Sequence, residues 1–199
     1  MSKVLAVLGD VVTSHTAYRG DDTIHVEREN ILKAAELLRD SADLAFDMLI
    51  DVTAVDYLGQ PDGFVTPTTV WDRNLQTHKR IPISRHHLVL PPRGSEPRFA
   101  VVYHMLSTKL IHRLRVKCRV PEDDPTIPSV ISIWSGANWL ERETYDLYGI
   151  SFTGHPDLRR IYLHESFVGH PLRKDYQKRA NQAVEPHAGP AAKEPRRPN

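Results

Sequence analysis

Thiols are all but missing from this chain: Cys118 stands alone among 199 residues. One cysteine cannot close an internal disulfide, build a four-thiolate zinc site or hold an iron–sulfur cluster, so the sequence reads as intracellular and clusterless. A surplus of one charge is missing too, since 26 Lys and Arg meet 25 Asp and Glu for a formal net charge of +1. Bulk electrostatics therefore give no reason to expect nucleic acid or an anionic membrane, and any charged surface is local. No hydrophobic run reaches spanning length. Val4 to Leu8 is far too short, Asp10 follows it without a small-residue cleavage site, and the Arg- and Ser-rich pattern of a transit sequence is lacking. Membrane association is expected only through a partner. Nucleotide and hydrolase signatures are also wanting, with no Gly-x-Gly-x-x-Gly, Walker loop or Gly-x-Ser-x-Gly.

What is present is globular composition, 40% hydrophobic and 26% charged, enough for one core plus an appendage. Apolar residues Ile31, Leu32, Ala34, Ala35, Leu37 and Leu38 recur at helical spacing, with Glu27 and Glu29 leading and Arg39 closing, which predicts a helix over 27–39. Phe46 to Tyr57 alternates and predicts a strand with Phe46, Met48, Ile50, Val52 and Ala54 on one face and Asp47, Asp51 and Thr53 on the other. Residues 59–97 form a Pro-rich excursion without sustained period, holding at most a short strand at 86–90. Strands at 98–106 and 110–120 form a hairpin about Ser107-Thr108-Lys109, a polar Pro-bounded loop follows at 121–128, and Val130 to Trp134 resumes β character. The segment 177–199 has four prolines, no aromatic residue and almost no large aliphatic one, a composition expected to stay disordered when free.

Three stretches could carry function. On the strand at 110–120, Leu110, Leu114, Val116, Cys118 and Val120 face one way and Arg113, Arg115, Lys117 and Arg119 the other. That basic stripe suits an acidic partner or RNA, or is a solvated face balanced by acids on neighbouring strands. The run Ala137 to Gly149 predicts a three-turn helix with Asn138 as N-cap, Glu141 reaching back to it and Gly149 ending it. Leu140, Thr144, Leu147 and Tyr148 would make its core stripe, and Arg142 and Asp146, four apart, most simply pair with each other or with a neighbouring subunit. Trp139 falls outside the stripe beside Glu143 and Asp146; either a second packing surface lies there or another part of this chain covers the indole. The third stretch repeats Gly-His-Pro at 154–156 and 169–171, each time followed by Leu and two basic residues. The residue before proline is pushed to extended geometry, so this His-, Arg- and Tyr-rich segment is expected to lie along another protein.

These last residues resemble a known family. The run Glu141-Arg142-Glu143-x-x-Asp146-x-x-Gly149-Ile150-x-Phe152-x-Gly154-His155-Pro156-Asp157-Leu158-Arg159-Arg160-Ile161, continued by Gly169-His170-Pro171-Leu172-Arg173-Lys174-Asp175-Tyr176, is similar to the signature of the thirty-kilodalton subunit of proton-pumping NADH:quinone oxidoreductase, or respiratory complex I. Weaker similarity reaches back through Ala137-Asn138-Trp139, the hairpin and Asp51 to Tyr57. The Pro-rich stretch at 59–97 is longer than that family's usual connection.

The resemblance implies an α+β fold, a two-layer domain with a mixed β-sheet packed against helices over residues 1–153, followed by an extended interaction arm at 154–176. It implies a non-catalytic structural subunit of the hydrophilic arm, peripheral on the cytoplasmic side of a bacterial inner membrane and packed on the neighbouring quinone-site subunit. No catalytic, cofactor or metal residue is expected in this chain, although the assembled enzyme uses NADH, FMN, iron–sulfur clusters and quinone. Glu141, Arg142, Glu143 and Asp146 would then fix the helix and its charge pairs, while Asp157, Arg159, Arg160, Arg173 and Lys174 bridge to the quinone-site subunit. Replacing Arg159 and Arg160 is expected to weaken assembly and leave the isolated fold intact. Two rivals remain: an RNA-binding module on Arg113, Arg115, Lys117 and Arg119, and a metal-dependent hydrolase on His155, Asp157 and His170.

Overall fold

The computed structural model describes residues 1–58 and 97–176, together with the backbone of strands at 68–72 and 77–81. The expected strand at 86–90 and the segment after Tyr176 lie outside the described residues. Helix α1 (Ser2–Leu8) leads into β1 (Val12–Tyr18) and β2 (Asp21–Val26); α2 (Ile31–Asp40) and β3 (Met48–Asp56) follow. After the antiparallel pair β4 (Thr68–Asp72) and β5 (Thr77–Ile81) come β6 (Phe99–Ser107), β7 (His112–Val120), β8 (Thr126–Pro128), α3 (Ala137–Tyr148) and β9 (Ser151–Thr153). The main sheet runs β1-β2-β7-β6-β3, parallel between β2 and β7 and antiparallel elsewhere, so the α+β class with a mixed sheet holds.

Alternation builds the core. Ile24 and Val26, Val52 and Ala54, Phe99, Val101, Tyr103 and Met105, and Leu114, Val116, Cys118 and Val120 all turn to one side, where they meet Val4 and Leu8 of α1 and Ile31, Ala34, Ala35 and Leu38 of α2. Cys118 is a free, fully buried thiol whose pKa burial pushes up, so it packs as a small apolar side chain.

Six local readings need correction. The excursion at 59–97, expected to hold at most a strand at 86–90, carries the β4–β5 pair. The turn expected at 107–109 occupies 108–111, so β7 begins at His112 and Leu110, expected on the core face, is exposed. The helix expected from Glu27 begins at Ile31, because Arg28–Asn30 form a 3-10 turn and Glu27 is extended. In β3 an extra residue between Leu49 and Asp51 breaks the register with β6. This bulge reverses the alternation at its start, so Met48 and Ile50 are exposed, 48% and 39%, while Leu49 is buried. Inside the loop expected at 121–128, β8 pairs in parallel with β9, and the strand expected at 130–134 is a turn instead. The hairpin of β1 and β2 had no sequence signal, since β1 is an edge strand exposed on both faces and carries no alternation to read.

The loop joining β6 to β7 is strained. Ile111 has φ +52°, and its N–H closes the turn on the Ser107 carbonyl at 2.9 Å. A β-branched residue in the left-handed region costs about 1–2 kcal/mol.

Candidate interaction surface

Helix α3 lies against β3, where the Thr144 hydroxyl sits 2.9 Å from the Val52 carbonyl and 3.0 Å from that of Leu140. Its buried face is not the stripe expected from Leu140, Thr144, Leu147 and Tyr148. Ala137, Glu141, Arg142, Thr144 and Asp146 are the buried positions, and three of these are charged. The other three stripe residues are only partly covered.

Glu141 does not cap its own helix, whose N-cap is Gly136. Its carboxyl is wholly buried and reaches the preceding turn, accepting from the Ser129 hydroxyl at 2.5 Å and the Val130 N–H at 2.8 Å. Burial raises its pKa to about 7 against the pull of these two donors. Gly149 does end the helix in the left-handed conformation, φ +72°, as expected from its position.

Asp146 does not pair with Arg142. Its carboxylate, fully buried, binds the Arg160 guanidinium at 2.7 Å and accepts from three successive backbone amides, Ile161, Tyr162 and Leu163, at 2.8 to 3.0 Å. Burial works to raise its pKa, but those donors outweigh it and hold the carboxyl below the usual range. Arg142 donates instead to the Arg159 carbonyl at 3.1 Å and lies 4.9 Å from the centre of the Trp139 ring. His155 Nε2 donates to the Asn138 carbonyl at 3.2 Å, and His155 Nδ1 accepts from the Asp157 amide. The segment 155–163 therefore runs along α3 from its start to its last turn. It has no helix or strand, but it is folded back on its own domain.

The second Gly-His-Pro run covers the helix C-terminus. His170 Nδ1 donates to the Asp146 carbonyl at 2.9 Å, the Leu172 amide to Leu147 at 3.1 Å, and Arg173 to Tyr148 at 2.6 Å and Gly149 at 3.4 Å. A cation over the last carbonyls also meets the negative end of the helix dipole. Beyond it, buried Arg98 binds Asp56 through both carboxylate oxygens at 3.0 and 2.8 Å, and also binds Glu122 and Asp175, while the Lys174 amide donates to Asp56 at 2.8 Å. Nothing in the sequence had singled out Asp56, Arg98 or Glu122, which come together from three separated stretches. The Tyr176 ring stacks on Phe167 at 6.1 Å. A Cβ at Gly149 would sit 2.5 Å from the His170 ring and 2.7 Å from Arg173. Gly149→Ala is thus expected to destabilise by about 1–2 kcal/mol from the backbone alone and to speed tryptic cleavage at Arg173.

What faces outward is different in kind. Trp139 is 62% exposed and Tyr162 65%, with Pro156, Arg159 and Leu172 also exposed and Arg159 paired to Asp157 at 2.6 Å. Leu158 tucks its side chain partly into the core, and Pro171 and Glu143 are half-covered. Aromatic and Arg side chains on a fixed backbone are the usual anchors of protein interfaces.

The rival constellations fare differently. His155 and His170 are engaged at opposite ends of α3, and no three His, Cys, Asp or Glu side chains are grouped to hold a metal among the described residues. The basic stripe does face away from the core, but Arg115 turns to Asp21 and Thr23, and Arg119 covers the Tyr57 ring at 4.2 Å. Burial and the two neighbouring arginines lower the Lys117 pKa.

The family described as "Respiratory-chain NADH dehydrogenase, 30 Kd subunit" matches residues 24–182. This chain belongs to that family. It is a subunit of NADH-quinone oxidoreductase, an enzyme complex, and partners other subunits of it. The NADH-quinone oxidoreductase subunit of the same kind from Legionella pneumophila strain Philadelphia 1 is 43% identical over 176 residues, 88% of this chain and 75% of the relative. Its counterpart from Acidithiobacillus ferrooxidans is 44% identical over 166 residues, 82% of this chain and 68% of that one. Among solved structures, a trypsin-resistant fragment of Nqo5 aligns with TM-score 0.51 and 31% identity over 73% of this chain and 89% of the fragment. An archaeal membrane-bound sulfane sulfur reductase complex shares the fold, with TM-score 0.62 at 19% identity over 89% of this chain and 83% of that one. Among the described residues, no helix of the thirty-kilodalton subunit is long and apolar enough to cross a membrane.

Proposed function

We propose that the thirty-kilodalton subunit is a non-catalytic structural member of the hydrophilic arm, on the cytoplasmic side of the bacterial inner membrane. It packs on the quinone-site subunit, and so supports NADH-to-quinone electron transfer coupled to proton translocation. It binds no flavin, cluster or quinone itself; those groups belong to its neighbours. One observation supports this above others. The charged signature residues Arg142, Asp146, Arg160 and Arg173 are spent on folding the 154–176 segment against α3, which leaves Trp139 and Tyr162 as rigid outward anchors. Pre-ordering the segment lowers the entropy lost on docking.

This division of labour changes the arginine test. Replacing Arg160 strips a partner from buried Asp146 and disturbs the isolated fold, whereas loss of the exposed Trp139 and Tyr162 side chains costs the fold little beyond the Trp139 ring contact with Arg142. Trp139→Ala with Tyr162→Ala is expected to cost about 2 kcal/mol of docking energy per anchor and to cut the yield of intact complex in a membrane pull-down. The free chain should melt within a few degrees of the wild type, the loss being the ring contact between Trp139 and Arg142. A normal yield of complex that includes the quinone-site subunit would sink the reading.

A further inference from the structure

The geometry points to a second docking element, the Leu110–Ile111 tip of the β6–β7 hairpin, which acts as an aliphatic knob seated in an apolar pocket of another protein subunit of the oxidoreductase. The tip is remote from the arm. Arg98 and Asp175 meet just before the start of β6, whereas the tip follows its last residue, Ser107, and nine residues of strand span roughly 30 Å.

Ile111 is a residue that its own chain does not reward. Ile111 is 85% exposed and Leu110 46%, so burial within their own chain repays little of what the two side chains cost. Ile111 also holds φ +52°, a conformation suited to glycine or asparagine and resisted by a branched Cβ. The loop cannot easily relax around it. Asp47 binds the Thr108 amide at 2.8 Å and its hydroxyl at 2.5 Å. Ser107 is fully buried and accepts from Leu110 N at its hydroxyl, 3.2 Å, and from Ile111 N at its carbonyl. On the far side His112 donates to the Leu44 carbonyl at 3.1 Å, with its ring 4.7 Å from Phe46. A strained, stiff turn that thrusts two aliphatic side chains into water is a poor choice for the isolated chain. It is a good one for a binding knob, because a branched side chain on a fixed loop loses little freedom when buried.

The charges around the tip select the occupant. Lys109 and Arg113 flank it, both exposed, while the nearby acids are engaged elsewhere, Asp43 with Lys3 and Asp47 with Thr108. With only two aliphatic side chains to insert, the tip lacks the apolar area that holds a protein on a lipid surface. It fits an apolar pocket in a protein whose rim carries acidic groups for Lys109 and Arg113.

Ile111→Gly and Ile111→Asn separate the knob from the fold. In the free full-length chain, the glycine variant relieves the backbone and is expected to raise Tm by about 2–4 °C; the asparagine variant should melt no lower than the wild type. In cells whose own copy is replaced, both variants are expected to enter the complex about tenfold less well. A photo-crosslinker at position 111 should capture another subunit of the assembled enzyme. Undiminished incorporation overturns the proposal, and so does a fall in Tm of the glycine variant, which would make Ile111 a structural residue. Sedimentation of the full chain with vesicles of phosphatidylethanolamine and phosphatidylglycerol, abolished by Ile111→Asn, would overturn it in favour of a lipid contact.

Discussion

Asp146→Ala is expected to lower the unfolding free energy by about 3–5 kcal/mol, because it leaves a mostly buried guanidinium and three backbone amides without their common acceptor. Urea unfolding measures the total, and limited trypsin digestion locates it, with cleavage after Arg159 and Arg160 preceding loss of the domain. Asp146→Asn keeps one acceptor oxygen but not the charge and should fall between. The wild type is expected to lose the same contribution at low pH. The folded carboxyl titrates below its ordinary value, so its contribution is complete above about pH 4 and is lost as pH falls through the folded pKa. Asp56, held down by Arg98 and two amides against the cost of burial, loses its contribution in the same direction. If Asp146→Ala unfolds within about 1 kcal/mol of the wild type, the clamp on the 160–163 segment is not what holds it.

Glu141 behaves in the opposite sense. Its folded pKa is raised from 4.5 to about 7, since burial opposes ionisation and only the Ser129 hydroxyl and Val130 amide favour it. The native state then binds more protons than the unfolded chain between those values, so stability falls as pH rises through this window and the loss is complete above about pH 7. A displacement of that size corresponds to roughly 3 kcal/mol. Glu141→Gln keeps the shape without the charge and removes this decline, so its stability relative to the wild type should rise between pH 5 and about 8. Parallel pH profiles for the two proteins would show that Glu141 is ionised throughout.

Glu141 and Asp146 show how much of the signature is legible in the sequence alone. That Glu141 and Asp146 matter was visible, because charged residues at those spacings stand out on a helix. Their roles were not, since a carboxylate at the third turn position can cap its own helix, pair along it or cross to another segment with similar local cost. The choice fell to Ser129 and Val130 in one case and to residues 160–163 in the other, partners brought in by the chain's return. The bulge in β3 was hidden for a related reason: one inserted residue leaves the local composition unchanged yet exchanges the two faces.

By itself the amino-acid sequence determined the family, the α+β class, the β6–β7 hairpin with its basic and apolar faces, and the stop of α3 at Gly149. These follow from period, turn chemistry and a local motif, all set by near neighbours in the chain. Only the tertiary structure decided that the 154–176 segment folds back on α3, that Trp139 and Tyr162 are left exposed beside it, and that Ile111 stands strained in water. Those outcomes depend on which distant donors reach a buried carboxylate first and on how much of each side chain the fold leaves uncovered, and no window of sequence contains either quantity.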